Sequence, residues 1–149
     1  MPQLLLIGYG NPLRGDDGVG WVAAEILSQQ YPAATTLLCH QLTPELAETM
    51  SQFEQVLFVD ATAVGIPGQI TCHPLAPHNG EGHLFTHTYT PAGLLHMAQS
   101  LYGRAPTAHL FTITGASFGH EETLSPAVTA ALPQLYAHIE KIVSDTDSQ

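Results

Sequence analysis

Three side chains of this sequence have the types and positions that could bind a divalent cation: Asp17, Asp60 and His87. Asp60 directly follows the apolar run Val56–Val59, and His87 precedes a predicted helix by a few residues. Two carboxylates and one imidazole suit Ni²⁺, Zn²⁺ or Fe²⁺ and leave coordination positions open. We therefore predict that these residues converge at one edge of a sheet and act as both metal ligands and catalytic groups.

Each of these residues, and the neighbouring Asp16, also has a purely structural interpretation. Asp16 is expected to cap the helix that follows it, because aspartate is a favoured N-cap residue. Asp17 would then be a favourable acid in the first helical turn, and Asp60 could close its strand through an Asx-turn. A single loop histidine such as His87 is usually polar surface. Sequence spacing alone does not prove that these residues converge.

The elements that must position these residues alternate between strand and helix. This alternation predicts a three-layer α/β sandwich, in which a mostly parallel sheet of about five strands has helices on both faces. Ligands bind at the carboxyl ends of the strands in such sheets, which is where Asp17 and Asp60 are expected. The predicted strands are Leu4–Tyr9, Thr35–Cys39, Val56–Asp60, Gln69–Leu75 and Ala108–Ile113.

Helices are predicted from residues that favour helix starts and from apolar stripes at helical spacing. Thr43 and Thr90 are expected to cap helices that begin with proline, and Gly103 is expected to end the second of these. The first helix follows Asp16, and the last opens at Ser125-Pro126. The expected buried stripes include Val19, Val22, Ala23, Ile26 and Leu27 in the first helix, and Leu94, Leu95, Ala98, Leu101 and Tyr102 in the third.

Length and charge narrow the class of protein. A chain of 149 residues suits a single domain, for which we predict the range 1–149 with a frayed polar tail from about Ser144. The formal net charge of -10 argues against nucleic acid or membrane surfaces as partners. No signal peptide or membrane-spanning run is evident. The widely spaced Cys39 and Cys72 are typical of reduced thiols, so we predict a cytoplasmic protein.

The turn after the first strand differs from a nucleotide-binding turn in one chemical respect. Gly8-Tyr9-Gly10 precedes a helix start, but Asp16 and Asp17 place negative charge where a pyrophosphate would bind. A cation is the better ligand for this turn. Two alternatives stay open: a non-catalytic nucleotide-binding module, and a stand-alone metallohydrolase of a small amide or phosphate that keeps its own tightly bound ion.

The segment Gly8–Gly20 resembles the signature G-x-G-N-x-L-x-x-D-[DE]-G-x-G of the nickel-iron hydrogenase maturation endopeptidases. The resemblance extends over nearly the whole chain, because Asp60 and His87 follow at the spacing which that family shows. It implies a twisted sheet between helical layers. It also implies removal of a C-terminal extension from a hydrogenase large subunit precursor once nickel is inserted, with Asp17, Asp60 and His87 sensing that nickel.

The same resemblance implies what the free enzyme binds and where this chain differs from its relatives. No tightly bound cofactor is expected, because the nickel belongs to the client precursor, although zinc or cadmium should substitute for it in crystals. Asp17 stands where some members have the longer glutamate. The segment Cys39–Glu45 replaces an Asp-Gly-Gly-Thr-like loop. With this segment, the chain is more similar to the branch of the family that serves bidirectional, NAD(P)-linked hydrogenases.

Overall fold

The computed structural model describes residues 3–78 and 89–147, with side chains as far as Asp145. The predicted ligand His87 lies outside these residues. The strands are β1 (Leu4–Tyr9), β2 (Thr35–Cys39), β3 (Gln55–Thr62), β4 (Ile70–Leu75) and β5 (Thr107–Thr114). The helices in the described ranges are α1 (Val19–Gln30), α2 (Glu45–Met50), α3 (Pro91–Tyr102) and α4 (Pro126–Asp147), and a 3-10 turn at Gly15–Gly18 precedes α1.

The strands form one five-stranded sheet in the order β2-β1-β3-β5-β4. Neighbours from β2 to β5 are parallel, and β4 joins the edge antiparallel to β5. The chain goes from β1 outward to β2 and then returns to the other side of β1 to form β3. A crevice is expected between the carboxyl ends of β1 and β3, because the strand order reverses there. The predicted mostly parallel sheet is confirmed.

Helices cover both faces of the sheet, which confirms the predicted three layers. Side chains of α1 and α4 form one buried cluster with Leu4, Leu6 and other strand residues. Side chains of α2 and α3 form the other, with Leu5 and Ile7. Successive residues of β1 therefore point into opposite clusters, which is why this strand and β3 are continuous apolar runs in the sequence.

Two glycines allow α1 to lie directly on the sheet. A Cβ at Gly8 of β1 would overlap the carbonyl oxygen of Gly20, and a Cβ at Gly20 would overlap the carbonyl oxygen of Val59. Larger residues would push the helix away from both strands. This close approach fixes the start of α1, and with it the preceding turn, against the carboxyl ends of β1 and β3.

The helix boundaries confirm several local predictions and correct others. Thr90 caps α3, because its Oγ1 accepts a hydrogen bond from the Gly93 N–H at 3.0 Å, and Gly103 ends the helix with φ 77°. α2 begins at Glu45 with Pro44 as its N-cap, so Thr43 is not the cap. α4 ends at Asp147, so it includes the first residues of the segment predicted to be a frayed tail.

Three residues predicted for the buried stripes are exposed instead. Ile26 is 37% exposed in α1, while Leu101 and Tyr102 are 65% and 47% exposed in α3. Leu101 and Tyr102 lie in the last turn of α3, where the helix ends, so apolar spacing there did not lead to burial. No helix in the described residues is long and apolar enough to span a bilayer.

Candidate active site

The loop between β1 and α1 folds back on itself and places Asp17 beside the end of β1. Asp17 Oδ2 accepts a hydrogen bond from the Asn11 N–H at 2.7 Å, and Asn11 Oδ1 accepts one from the Leu13 N–H at 2.9 Å. Gly10 has φ 136°, and a Cβ there would lie 3.4 Å from the Asp17 carboxyl carbon and overlap its carbonyl oxygen. The Asp17 side chain therefore packs over the Gly10 backbone.

Asp16 does not cap the following helix, contrary to the sequence-based prediction. The 3-10 turn separates it from α1, which has Gly18 as its N-cap without a side-chain capping bond. The Asp16 side chain is fully buried and accepts backbone hydrogen bonds from the connection between β5 and α4. Its Oδ2 accepts hydrogen bonds from the N–H groups of Ala116 at 2.7 Å and Ser117 at 3.1 Å. Its Oδ1 accepts one from the N–H group of Ser125 at 2.7 Å.

These donors keep the Asp16 carboxylate ionised inside the protein. Burial by itself would raise the pKa of Asp16, because it disfavours the charged form. The hydrogen bonds from Ser125, Ala116 and Ser117 outweigh burial and lower the pKa below its ordinary 3.8. Asp16 therefore acts as a fixed anion that ties the signature turn to the end of the sheet.

Asp60 lies on β3, beside the last residue of β1. Gly8 pairs with Val59, so Tyr9 and Asp60 come next on adjacent strands and face the same side of the sheet. β3 continues to Thr62, so Asp60 does not close the strand through an Asx-turn. Its Oδ1 accepts a hydrogen bond from the Ala61 N–H at 2.8 Å, and the Tyr9 hydroxyl donates another to its carboxylate.

The environment of Asp60 makes its carboxyl group hold a proton to a higher pH than an ordinary aspartate does. Burial is the largest cause and the charge of Asp17 adds to it, while the hydrogen bonds from Ala61 and Tyr9 oppose them. Together these effects raise the pKa of Asp60 from 3.8 to about 6. Burial and the charge of Asp60 also raise the pKa of the Tyr9 hydroxyl, which stays a hydrogen-bond donor.

The described part of the predicted site thus contains two interacting carboxylates. Asp17 lies in the turn between β1 and α1 and Asp60 lies within β3, and they are close enough for the charge of Asp17 to raise the pKa of Asp60. Within residues 3–78 and 89–147 no group of three His, Cys, Asp or Glu side chains is placed to hold a metal ion. Two carboxylates that repel each other fit a divalent cation, since a positive charge between them would remove the repulsion.

Sequence reasoning gave the aromatic residues Tyr9 and Trp21 no role in the site. Tyr9 was predicted only as a strand residue, and it comes beside Asp60 because β1 pairs with β3. Trp21 donates its Nε1–H to the carbonyl oxygen of Cys39 at 3.0 Å, and the Gly10 N–H donates to the same oxygen at 3.0 Å. The His40 ring lies edge-on to Trp21, with centroids 5.2 Å apart. These contacts fix the end of β2 against the signature turn.

Several solved structures similar to this chain are hydrogenase maturation proteases. NiFe hydrogenase maturation protease HycI from Thermococcus kodakarensis KOD1 superposes with a TM-score of 0.72 at 22% identity, covering 95% of this chain and 92% of that one. Hydrogenase 2 maturation peptidase from Thaumarchaeota archaeon SCGC_AB-539-E09 gives 0.69 at 23% identity, with 95% and 97% covered. Hydrogenase maturating endopeptidase HybD from E. coli gives 0.67 at 24% identity, with 93% of each chain covered.

The fold of this chain is therefore the α/β fold found in hydrogenase maturation proteases. The match extends over nearly the full length of both chains in all three cases. No family sequence model matches the chain, and no curated protein sequence matches it. None of the three structures is described as serving an NAD(P)-linked hydrogenase, so that branch assignment stays a prediction.

Proposed function

We propose that this protein is a hydrogenase maturation endopeptidase that removes the C-terminal extension of a nickel-iron hydrogenase large subunit precursor after nickel insertion. The observation that carries the proposal is the electrostatic interaction between Asp17, in the turn after β1, and Asp60, on β3, the two strands that flank the switch point of the sheet. A fold shared with several maturation proteases and the signature Gly8–Gly20 support it. The bound partner would be the nickel-loaded precursor.

In this proposal the client's nickel is part of the substrate and not a resident cofactor. Asp17, Asp60 and His87 would supply three ligands, which leaves coordination positions for thiolates of the client. Below about pH 6 the cation would compete with the proton on Asp60, because metal ligands bind in their deprotonated form. Recognition of nickel thereby becomes coupled to the charge state of the site.

The same arrangement can assist hydrolysis of the peptide bond next to the client's nickel. A cation in the crevice could polarise the scissile carbonyl or lower the pKa of an attacking water. Asp17 or Asp60 would act as the general base through a carboxylate oxygen that the cation leaves free.

The cell compartment and the type of client surface proposed here follow from the free cysteines and from the net charge. Cys39 and Cys72 are free thiols in the structure, which agrees with a reducing cytoplasm. The net charge of -10 favours basic surfaces on the client over nucleic acid or anionic membranes.

Asp17→Asn and His87→Ala should each abolish removal of the extension while leaving the protein folded. Asp17→Asn preserves size and the ability to accept a hydrogen bond from Asn11, so it isolates the loss of charge. The measurement is the gel shift and the mass of the peptide released from a purified nickel-loaded precursor. Normal cleavage by either variant would overturn the assignment of the site.

Matched controls separate the site from a general loss of charge or of histidine. Glu25→Gln removes a negative charge from an exposed position of α1, and His138→Ala removes an exposed histidine of α4. Both should cleave at the unaltered rate. The unaltered protein should leave a nickel-free precursor uncut, and equal cleavage of the two precursors would contradict the nickel-sensing role.

A further inference from the structure

Tyr9 is a residue whose position the proposed hydrolysis does not by itself explain. It is the last residue of β1 and lies between the two glycines that open the signature turn. A phenol at this strand end brings a hydrogen-bond donor to the edge where Asp17 and Asp60 meet. A purely packing role would need the ring only and would leave the hydroxyl free of the site.

Packing fixes the ring of Tyr9. It contacts the apolar cluster beneath α2 and α3, and it lies edge-on to Phe58 with centroids 6.4 Å apart and planes at 88°. Edge-to-face pairs of this kind favour one ring orientation. Because Phe58 and Asp60 are two residues apart on β3, both side chains are on the face that Tyr9 covers. The ring therefore holds its hydroxyl over Asp60.

The hydroxyl of Tyr9 and one backbone group together determine how the Asp60 carboxylate is turned. The Ala61 N–H bonds Oδ1 at 2.8 Å, and Tyr9 donates a second hydrogen bond to the carboxylate. An ionised carboxylate has about four acceptor positions, so about two stay available for a cation. Hydrogen bonds to a ligating carboxylate orient it, and their loss typically weakens metal binding about 10- to 100-fold.

We propose that Tyr9 is a positioning residue whose hydroxyl holds the Asp60 carboxylate in the orientation in which it shares a divalent cation with Asp17. This inference rests on the proposed function, because it assumes that the two carboxylates bind the client's nickel. It assigns a specific role to Tyr9, which is uncharged and is not itself a proposed metal ligand.

Tyr9→Phe tests the inference with Ni²⁺ alone as the probe. The ring keeps its contact with Phe58, so the variant should fold, and only the hydroxyl is removed. Quenching of the single tryptophan, Trp21, reports Ni²⁺ titrated into the free protein, and calorimetry provides a second measure. The dissociation constant should rise about 10- to 100-fold.

The matched control is Tyr136→Phe, which removes a buried hydroxyl that has no hydrogen-bond partner in the described structure. It should leave the Ni²⁺ affinity unchanged. A double-mutant cycle then asks whether Tyr9 acts through Asp60: Tyr9→Phe should have no further effect in the Asp60→Asn background and should keep its effect in the Asp17→Asn background. A purely structural defect would weaken binding in both backgrounds.

The outcomes distinguish this inference from the proposed function. If Asp17→Asn and Asp60→Asn reduce Ni²⁺ binding but Tyr9→Phe binds as tightly as the unaltered protein, the role of Tyr9 is wrong and the metal site stands. If the unaltered protein binds Ni²⁺ no better than Asp17→Asn does, the site itself is wrong and the inference fails with it.

Discussion

At the scale of single residues, two neighbouring acids have opposite environments. Asp16 is fully buried and surrounded by backbone N–H donors, so its pKa is lowered. Asp17 is half-buried at the crevice, where its charge raises the pKa of Asp60. One carboxylate thus stabilises the loop that carries it, while the other is held beside a like charge. A cation bound between the two carboxylates would remove this unfavourable pairing.

Asp60→Asn is expected to stabilise the free protein near neutral pH. Since the folded pKa of about 6 exceeds the ordinary 3.8, the folded state binds this proton more tightly than the unfolded state. The associated stability is complete below about pH 4 and is lost as the pH rises through about 6. The neutral asparagine avoids this loss, which is at most about 3 kcal/mol. Urea unfolding near pH 7 should therefore give the variant the larger free energy of unfolding.

Two controls define this stability effect. Near pH 4 the variant and the unaltered protein should differ little, because Asp60 is then protonated in the folded state. Asp17→Asn should recover part of the stabilisation near pH 7, because it removes the charge that raises the pKa of Asp60. A variant Asp60→Asn that is less stable than the unaltered protein near pH 7 would show that the carboxylate pair is not under electrostatic strain.

At the scale of elements, hydrogen bonds at the carboxyl ends of the strands connect segments that are distant in sequence. The Gly15 N–H donates to the Glu121 carbonyl at 2.7 Å, and the Asp16 N–H donates to that of Ser117 at 2.9 Å. Together with the bonds of the Asp16 carboxylate, these attach the 3-10 turn to the connection between β5 and α4. The Gly8 and Gly20 contacts fix the same turn from the side of α1. Asp17 is therefore placed by a rigid support and not by a free loop.

Asp16→Asn is expected to loosen this support and lower the free energy of unfolding by about 2–3 kcal/mol near pH 7. The NH2 group of asparagine cannot accept a hydrogen bond as a carboxylate oxygen does, so at least one buried backbone N–H loses its acceptor, and charged hydrogen bonds contribute about 1.5–3 kcal/mol each. The folded pKa of Asp16 is below 3.8, so its stabilisation is present above about pH 4 and is lost as the pH falls through the folded pKa. Denaturant unfolding at several pH values measures both effects.

The neighbouring substitution Asp17→Asn is the matched control for this prediction. It makes the same chemical change one residue away, at a half-buried carboxylate with a single backbone hydrogen bond. It should not destabilise the protein. Equal destabilisation by the two substitutions would mean that the Asp16 hydrogen bonds have no special weight.

At the scale of the whole molecule, strand order and net charge indicate what the protein can bind. Parallel strands covered on both faces leave the carboxyl edge at the β1–β3 switch point as the place for a ligand. Three Lys and Arg residues against 13 Asp and Glu residues give few positions for an anionic partner. A cation presented by a protein client satisfies both features.

The purified, chelator-free protein should contain far less than one nickel or zinc ion per chain. Three ligands with a single nitrogen bind weakly unless the client supplies the remaining donors, and the proton on Asp60 competes with the ion. Elemental analysis of freshly purified protein measures this directly. A content of about one tightly held ion per chain would favour a stand-alone metallohydrolase instead.

The sequence by itself determined the local structure and one part of the site. Apolar runs buried on both faces gave the central strands, and Thr90, Pro91 and Gly103 determined the limits of α3, because capping and turn preferences act within a few residues. The same patterns located the turn that carries Asp17 and the strand that carries Asp60, although β3 continues to Thr62 and Asp60 does not end it. The resemblance of the signature to a protease family agreed with the fold.

Only the tertiary structure decided the direction of Asp16 and the partner of Asp60. The hydrogen-bond partners of the Asp16 carboxylate lie 100 to 109 residues further along the chain, so its local preference for an N-cap was overridden by donors that no nearby residue reveals. Tyr9 meets Asp60 because β1 and β3 are neighbours in the sheet, and strand order depends on packing across the whole molecule. The physical reason is one of range: helix caps and turns form between residues close in sequence, whereas burial and strand pairing join segments that only the complete fold brings together.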